Sequence, residues 1–203
     1  MSIAGVILAA GRSERMGKPK ALLDFRGRPF VVAVLEVLEA LDLKPRAVVL
    51  GPDAPRVRPV LATHSCVLLE NPDPDSGPIG SLRVALVALH AVRPTAVLTW
   101  PVDIPHVRLA TVEHLLETYE RAGAPAIVPT YGGHRGHPVI WDASVFPELE
   151  TSAAAARQGA RAVLHHLGDR AVTVAVDDPA VTDDIDTPED YERLFRAINR
   201  DAF

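Results

Sequence analysis

Residues 6–20 read Val6-Ile7-Leu8-Ala9-Ala10-Gly11-Arg12-Ser13-Glu14-Arg15-Met16-Gly17-Lys18-Pro19-Lys20. An apolar strand runs there straight into a small-residue loop loaded with cations, an arrangement that brings backbone against a polyphosphate. Ala9, Ala10 and Gly11 leave room for phosphate oxygens to approach main-chain N–H groups, and Gly tolerates the backbone angles such a loop demands. Arg12, Arg15, Lys18 and Lys20 supply the counter-charge. Two commoner phosphate loops are excluded by spacing. From Gly11 to Gly17-Lys18 there is one residue too many for a P-loop, and Pro19 stands where its magnesium-binding Ser or Thr would be. No G-x-G-x-x-G follows the first strand either.

Outward from this loop, short runs rich in Val, Ile and Leu alternate with longer segments of helical spacing. That is the pattern of a parallel sheet covered on both faces. Strands are predicted at residues 4–8, 47–50, 67–69, 96–100 and 126–129, and helices at 30–41, 79–91, 109–121, 157–167 and 188–198. The expected fold is a single-domain, Rossmann-like α/β architecture, with a mostly parallel sheet and helices on both faces. A chain of 203 residues, 48% hydrophobic and 23% charged, fits one such domain over 1–203 with a sizeable core.

The last helix is the best defined. Thr187 can cap it, Pro188 suits its first turn, Glu189 and Asp190 complement its dipole, and Tyr191, Leu194, Phe195 and Ile198 recur at helical spacing. Asp186 therefore sits at a helix mouth. In open sheets ligands bind beyond the carboxyl ends of the strands, where the loops after the first, third and fourth strands converge.

Composition narrows the function classes. A net charge of −5 argues against a nucleic-acid-binding surface. No apolar stretch is long enough to cross a bilayer and no secretory signal opens the chain, so a cytoplasmic location and no membrane partner are expected. Cys66 is the only cysteine, which leaves neither an internal disulfide nor a thiolate metal cluster, and the run Cys66-Val67-Leu68-Leu69 reads as a buried strand. Charge is also segregated: six cations lie between Arg12 and Arg28 against Glu14 and Asp24, whereas Asp177 to Glu192 holds eight carboxylates and no Lys or Arg. One end of the chain is suited to phosphates and the other to a cation.

Within Trp100-Pro101-Val102-Asp103-Ile104-Pro105-His106, an aspartate at a strand's carboxyl end is fixed between two prolines. It is placed to hold a hard cation against phosphate oxygens. After the third strand, Glu70-Asn71-Pro72-Asp73-Pro74-Asp75-Ser76-Gly77-Pro78-Ile79-Gly80-Ser81-Leu82 is stiffened by prolines, and Ser81 can open the following helix. In Gly132-Gly133-His134-Arg135-Gly136-His137-Pro138-Val139-Ile140, two histidines without a third ligand fit a hairpin turn better than a zinc site.

The first loop resembles the signature L-A-x-G-x-x-x-R-M-G-x-x-K of the molybdenum-cofactor nucleotidyltransferases, the MobA-like and MocA-like families. Further likenesses follow in the family's order: the D-x-P around Asp103, the G-H-P-V at Gly136 to Val139, the G-A-R ending at Arg161, and Asp184-Ile185-Asp186-Thr187-Pro188-Glu189-Asp190. The resemblance implies a nucleotide-diphospho-sugar transferase type of fold. It implies Mg²⁺ on Asp103 and Asp186, with Lys20, Arg15 and Asp103 as catalytic residues. A nucleoside triphosphate would lie on Leu8, Ala9, Ala10, Gly11, Arg12, Ser13, Lys20, Asn71 and Ser81. A phosphorylated acceptor, molybdopterin or its molybdenum-loaded form, would meet His137, Pro138 and Arg161, and molybdoenzymes or their chaperones would be the protein partners. Ala9-Ala10-Gly11 looks like the cytidylyltransferase branch and Gly77-Pro78-Ile79 like the guanylyltransferase branch. The side chain of Ala10 narrows the space for a base, which favours CTP over GTP. Transfer to a sugar phosphate or another phosphorylated metabolite, and a nucleotide-binding regulator without turnover, are the competing readings.

Overall fold

At the centre of the sheet lies β1 (Ile3–Ala9), whose alternating side chains enter two separate apolar cores, Ile3 and Ile7 on one face, Ala4 and Val6 on the other. The computed structural model describes residues 2–200, the side chains of 199 and 200 excepted, so the expected domain limits at 1 and 203 lie outside the described residues. A small antiparallel hairpin, β2 (Asp24–Phe25) and β3 (Arg28–Pro29), precedes α1 (Phe30–Ala40). β1 pairs in parallel with β4 (Arg46–Leu50), and β4 with β5 (Val67–Glu70), which forms one edge. On its other side β1 pairs in parallel with β6 (Ala96–Pro101).

The sheet is mostly parallel, as expected, and its antiparallel strands lie beyond β6. β9 (Val139–Asp142) is inserted antiparallel between β6 and β7 (Ala126–Tyr131), and β10 (Ala171–Ala175) lies parallel to β7 at the far edge. The order is β10-β7-β9-β6-β1-β4-β5, with β8 (His134–Arg135) folded back on β7 through the Gly132-Gly133 turn. That turn is the hairpin expected of the two glycines, each at positive φ.

Helices cover both faces, as expected. α1, α2 (Ala54–Leu61), α4 (Leu109–Ala122) and α8 (Pro188–Arg200) contribute to the first core. α3 (Gly77–Leu89), α5 (Phe146–Thr151), α6 (Ala153–Gln158) and α7 (Arg161–Leu167) build the second. The single helix predicted over 157–167 is broken at Gly159, whose φ of 76° lies in the region that only glycine enters freely. α3 begins at Gly77, so Ser81 lies in its second turn and does not cap it. The Thr187 cap expected for α8 is present, and Asp190 makes it reciprocal: Thr187 Oγ1 accepts from Asp190 N at 3.2 Å, and Asp190 Oδ2 accepts from Thr187 N at 2.9 Å. Cys66 lies just before β5 and is half-buried, with burial raising its thiol pKa; it is not a strand residue. No helix among the described residues is long and apolar enough to cross a membrane.

Two glycines set the spacing around β1. A Cβ at Gly5 would lie 2.8 Å from Leu38 Cδ1, so its absence lets α1 close onto the sheet. At Gly51, after β4, a Cβ would lie 2.2 Å from the carbonyl oxygen of Ala10, a backbone atom that cannot swing away. Gly51→Ala is therefore expected to cost about 1–3 kcal/mol by overpacking, lowering the thermal midpoint by roughly 2–4 °C per kcal/mol in a chain of this size. Thermal unfolding of the two proteins checks this; equal midpoints would show that the strand ends part easily.

Candidate active site

The cationic loop leaves β1 at Ala9 and closes on itself at Ser13. Ser13 adopts a left-handed φ of 54° and its carbonyl accepts from Met16 N at 3.1 Å and Gly17 N at 3.0 Å. Ser13 Oγ accepts from Lys20 N at 3.0 Å, and Met16 is rooted in the core. These contacts fix the backbone of Lys20. Its side chain, 13% exposed, extends inward and does not wave in solvent.

Two acidic loops meet it there. Trp100, fully buried at the end of β6, donates its indole N–H to Ile104 O at 2.9 Å, while Val102 N donates to Leu8 O at 3.1 Å. Ile185 N donates to Asp103 O at 2.9 Å, and Ile104 and Ile185 are both completely buried. Two apolar plugs and one backbone bond thus bring Asp103 and Asp186 to the same sheet edge. Lys20 Nζ lies 2.9 Å from Asp103 Oδ2 and also binds Asp186 Oδ1, and Arg15 Nη2 lies 2.9 Å from Asp186 Oδ2.

The protonation states follow from this cluster. Burial opposes charge on Lys20, but the two carboxylates outweigh it and its pKa is raised. Burial likewise opposes charge on Asp186, and Lys20 and Arg15 reverse that to leave its pKa lowered. Asp184 reaches solvent at its rim yet is crowded by protein. Desolvation, then the charges of Asp103 and Asp186, push its pKa up to about 6. Asp184 is exposed and feels the charge of the neighbouring pair from there.

This cluster borders a cavity of about 480 Å³, which Leu8, Ala9, Ala10, Gly11, Arg12, Ser13, Arg15, Lys20, Ser81, Asp103 and Asp186 help to line. Lys18 and Asn71 do not. Asn71 is buried beneath the pocket, where its Nδ2 donates to Ser81 Oγ at 3.1 Å and its Oδ1 accepts from Asp73 N at 3.0 Å, so it shapes the loop. Ala10 is 5% exposed and packs in the core that also holds Ile79 and Leu82. Ala10 is thus a wall residue of the cavity, packed from behind by the core and presenting little of its surface to the pocket.

A second cavity, of about 620 Å³, adjoins the first through Asp75, Gly77 and Pro78. His137 and Arg161 line it and Pro138 does not. His137 is half-buried, and desolvation of its ring lowers its pKa. Arg135 and Arg157 also line this cavity, and among the described residues neither they nor Arg161 has an ion-pair partner. Sequence reading passes over both arginines, although Arg135 sits between the two histidines of the quoted motif. Asp75 is likewise missed; it holds Arg12 through paired bonds of 3.0 and 3.1 Å across the mouth of the first cavity.

Among the described residues, no group of three or more His, Cys, Asp and Glu converges to hold a metal ion. Asp103 and Asp186 nevertheless converge on one positive centre, the Lys20 ammonium. Two hard oxygen donors that can share a cation fit an ion which takes its remaining ligands from phosphates and water.

Comparison with known proteins gives the family. Residues 5–172 match the MobA-like NTP transferase domain. A molybdenum cofactor guanylyltransferase of Xanthomonas euvesicatoria pv. vesicatoria (strain 85-10) is 32% identical over 197 residues, covering 94% of this chain and 93% of its own. A nicotine blue oxidoreductase of Paenarthrobacter nicotinovorans is 30% identical, with 80% and 81% covered. Rv0371C of Mycobacterium tuberculosis H37Rv, solved in complex with manganese, superposes with a TM-score of 0.75 at 31% identity, over 97% of this chain and all of that one. The match over most of the chain, and the phosphate-loop and carboxylate residues in the family's order, place this protein in the MobA-like NTP transferase family as a nucleotidyltransferase.

Proposed function

We propose that this chain joins a nucleoside monophosphate, from a triphosphate donor, to the phosphate of molybdopterin or its molybdenum-loaded form, releasing pyrophosphate. The observation that carries this reading is the meeting of Lys20, Asp103 and Asp186 beside one cavity, with a second, arginine-lined cavity adjoining it. The donor's phosphates lie over the backbone of residues 9–13, and Lys20 and Arg15 neutralise charge on them. The acceptor occupies the second cavity, its anionic groups met by Arg161, with Arg135 and Arg157 beside it. An acceptor phosphate oxygen attacks the α-phosphorus in line, and the bond from that phosphorus to the bridging β-oxygen breaks. A phosphate monoester is already largely ionised near neutral pH, so the step needs no side-chain base. The chain's work is positioning and charge stabilisation. Asp103 and Asp186 would hold the divalent ion, Mg²⁺ by preference, which supplies Lewis-acid stabilisation of phosphate charge when bound. The manganese in the mycobacterial neighbour supports an ion of this oxygen-seeking kind.

GTP is the donor supported by the guanylyltransferase relative and by the Gly77-Pro78 pair in the cavity wall. CTP is the second reading, carried by Ala9-Ala10-Gly11. The native protein is expected to prefer GTP, and Ala10→Gly to change the GTP-to-CTP ratio of kcat/KM by less than about ten-fold, because Ala10 lines the cavity wall with only 5% of its surface exposed. A methyl that did meet the base would be worth about 1–3 kcal/mol, so a ratio moved ten-fold or more would restore position ten as the selector. A native preference for CTP would overturn the guanine assignment.

The direct test incubates the purified chain with each NTP, Mg²⁺ and a panel of acceptors that includes molybdopterin and sugar phosphates. Pyrophosphate and coupled product are measured. Nucleotide binding without pyrophosphate release would make the protein a regulator, and product with sugar phosphates alone would change the acceptor. One nucleotidyltransferase domain over 1–203 and a cytoplasmic location belong to the same proposal.

A further inference from the structure

A cation of the chain's own lies between its acidic loops. Lys20 Nζ contacts Asp103 Oδ2 at 2.9 Å and Asp186 Oδ1, while Arg15 Nη2 takes Asp186 Oδ2 at 2.9 Å. Lys20 is pinned from behind by the bond from its backbone N–H to Ser13 Oγ, so its ammonium is delivered to this point by the loop's own fold. Arg12 is paired in the same way, bidentate to Asp75. Arg12, Arg15 and Lys20 therefore each rest on a carboxylate, and the charges of the donor cavity neutralise one another.

A divalent ion cannot take Asp103 and Asp186 together while an ammonium sits between them, because like charges a few ångströms apart repel strongly in a partly desolvated site. Nor can the ammonium leave without a new anion to meet, since an unpaired charge in a half-buried position is costly. A triphosphate removes both obstacles: its oxygens pair with Lys20 and Arg15, and the carboxylates are freed. From these contacts we infer that Lys20 is the resident counter-ion of the Asp103–Asp186 pair, so that the divalent ion binds tightly only together with the triphosphate. The inference rests on the proposed function in taking those two carboxylates as the ion's ligands. Its consequence is reciprocal coupling, in which nucleotide raises the affinity for the ion and the ion that for nucleotide.

The test is titration of the full chain with Mn²⁺ alone, read from the electron paramagnetic resonance signal of the free ion. Lys20→Met removes the internal cation and is expected to bind Mn²⁺ about ten-fold tighter than the native protein, a gain of the size usual for linked sites. Lys20→Arg keeps the charge and is expected to stay at the native affinity. Lys20→Gln replaces Lys20→Met, with the same expected gain, if circular dichroism shows the latter unfolded. A neutral variant that binds Mn²⁺ no tighter than the native chain overturns the counter-ion role, as does an arginine variant that gains as much as the neutral one. A parallel titration with a GTP analogue bridged by methylene between its α- and β-phosphates tests the ligands themselves. If Asp103→Asn and Asp186→Asn leave that ternary binding intact, the metal-site reading fails. If they weaken it while Lys20→Met gains nothing, only the counter-ion inference fails.

Discussion

Lys20→Ala is expected to leave the fold standing and to cut turnover by more than ~100-fold, the loss that follows removal of one strong, preorganised electrostatic contact. The expectation comes from where the side chain goes. Its Nζ lies at the cavity wall, 13% exposed, on a backbone tied to Ser13, so the positive charge is delivered to the site by the loop and needs only a side-chain shift to pass from the carboxylates to the phosphates. The backbone part of its environment, the bond from Lys20 N to Ser13 Oγ, survives the substitution, and alanine suits the short turn Lys20–Leu22. The carboxylates left behind keep Arg15 and are themselves about a quarter exposed, so water screens their repulsion. Circular dichroism should therefore match the native protein while single-turnover rates fall. Near-normal turnover in a folded variant would refute the assignment of Lys20 to the reacting charge.

The fold was legible where burial is one-sided or complete. β1, β4 and β6 are apolar runs covered on both faces, and continuous burial leaves a continuous apolar sequence. β9 and β10 gave no such signal. β9 is four residues emerging from a Gly-Pro-rich turn, and β10 lies at the sheet edge with Thr173 and Ala175 exposed. Its partner strand, and not its own composition, makes Ala171–Ala175 a strand. The donor half of the site was legible for a different reason: its loop follows directly from a strand, so local sequence carries geometry, and Asp186 is placed by a helix cap that is itself local. Asn71 misleads because the same side chain that could touch a ribose can also tie a loop, and only burial separates the two uses. Arg135, Arg157 and Asp75 were illegible because each acts through a cavity built from segments distant in sequence.

Asp103→Asn and Asp186→Asn should each weaken the dependence of turnover on Mg²⁺. Each single change removes several kcal/mol of phosphate-charge stabilisation, on the order of 100-fold or more in rate. The informative quantity is the double variant, whose loss is expected to be smaller than the product of the two. The residues are 83 positions apart in sequence, yet one ammonium binds both and a backbone bond from Ile185 N to Asp103 O ties their loops. Groups that share a ligand do not contribute independently: once the first asparagine has loosened the ion, the second has less left to remove. Lys20 sharpens the comparison, because it faces both carboxylates and responds to the loss of either. Rates measured across an Mg²⁺ titration for all four proteins give the coupling directly. Losses that simply multiply would place the two carboxylates in separate roles, Asp103 with the phosphates and Asp186 as the anchor of Arg15, and would end the case for a shared ion.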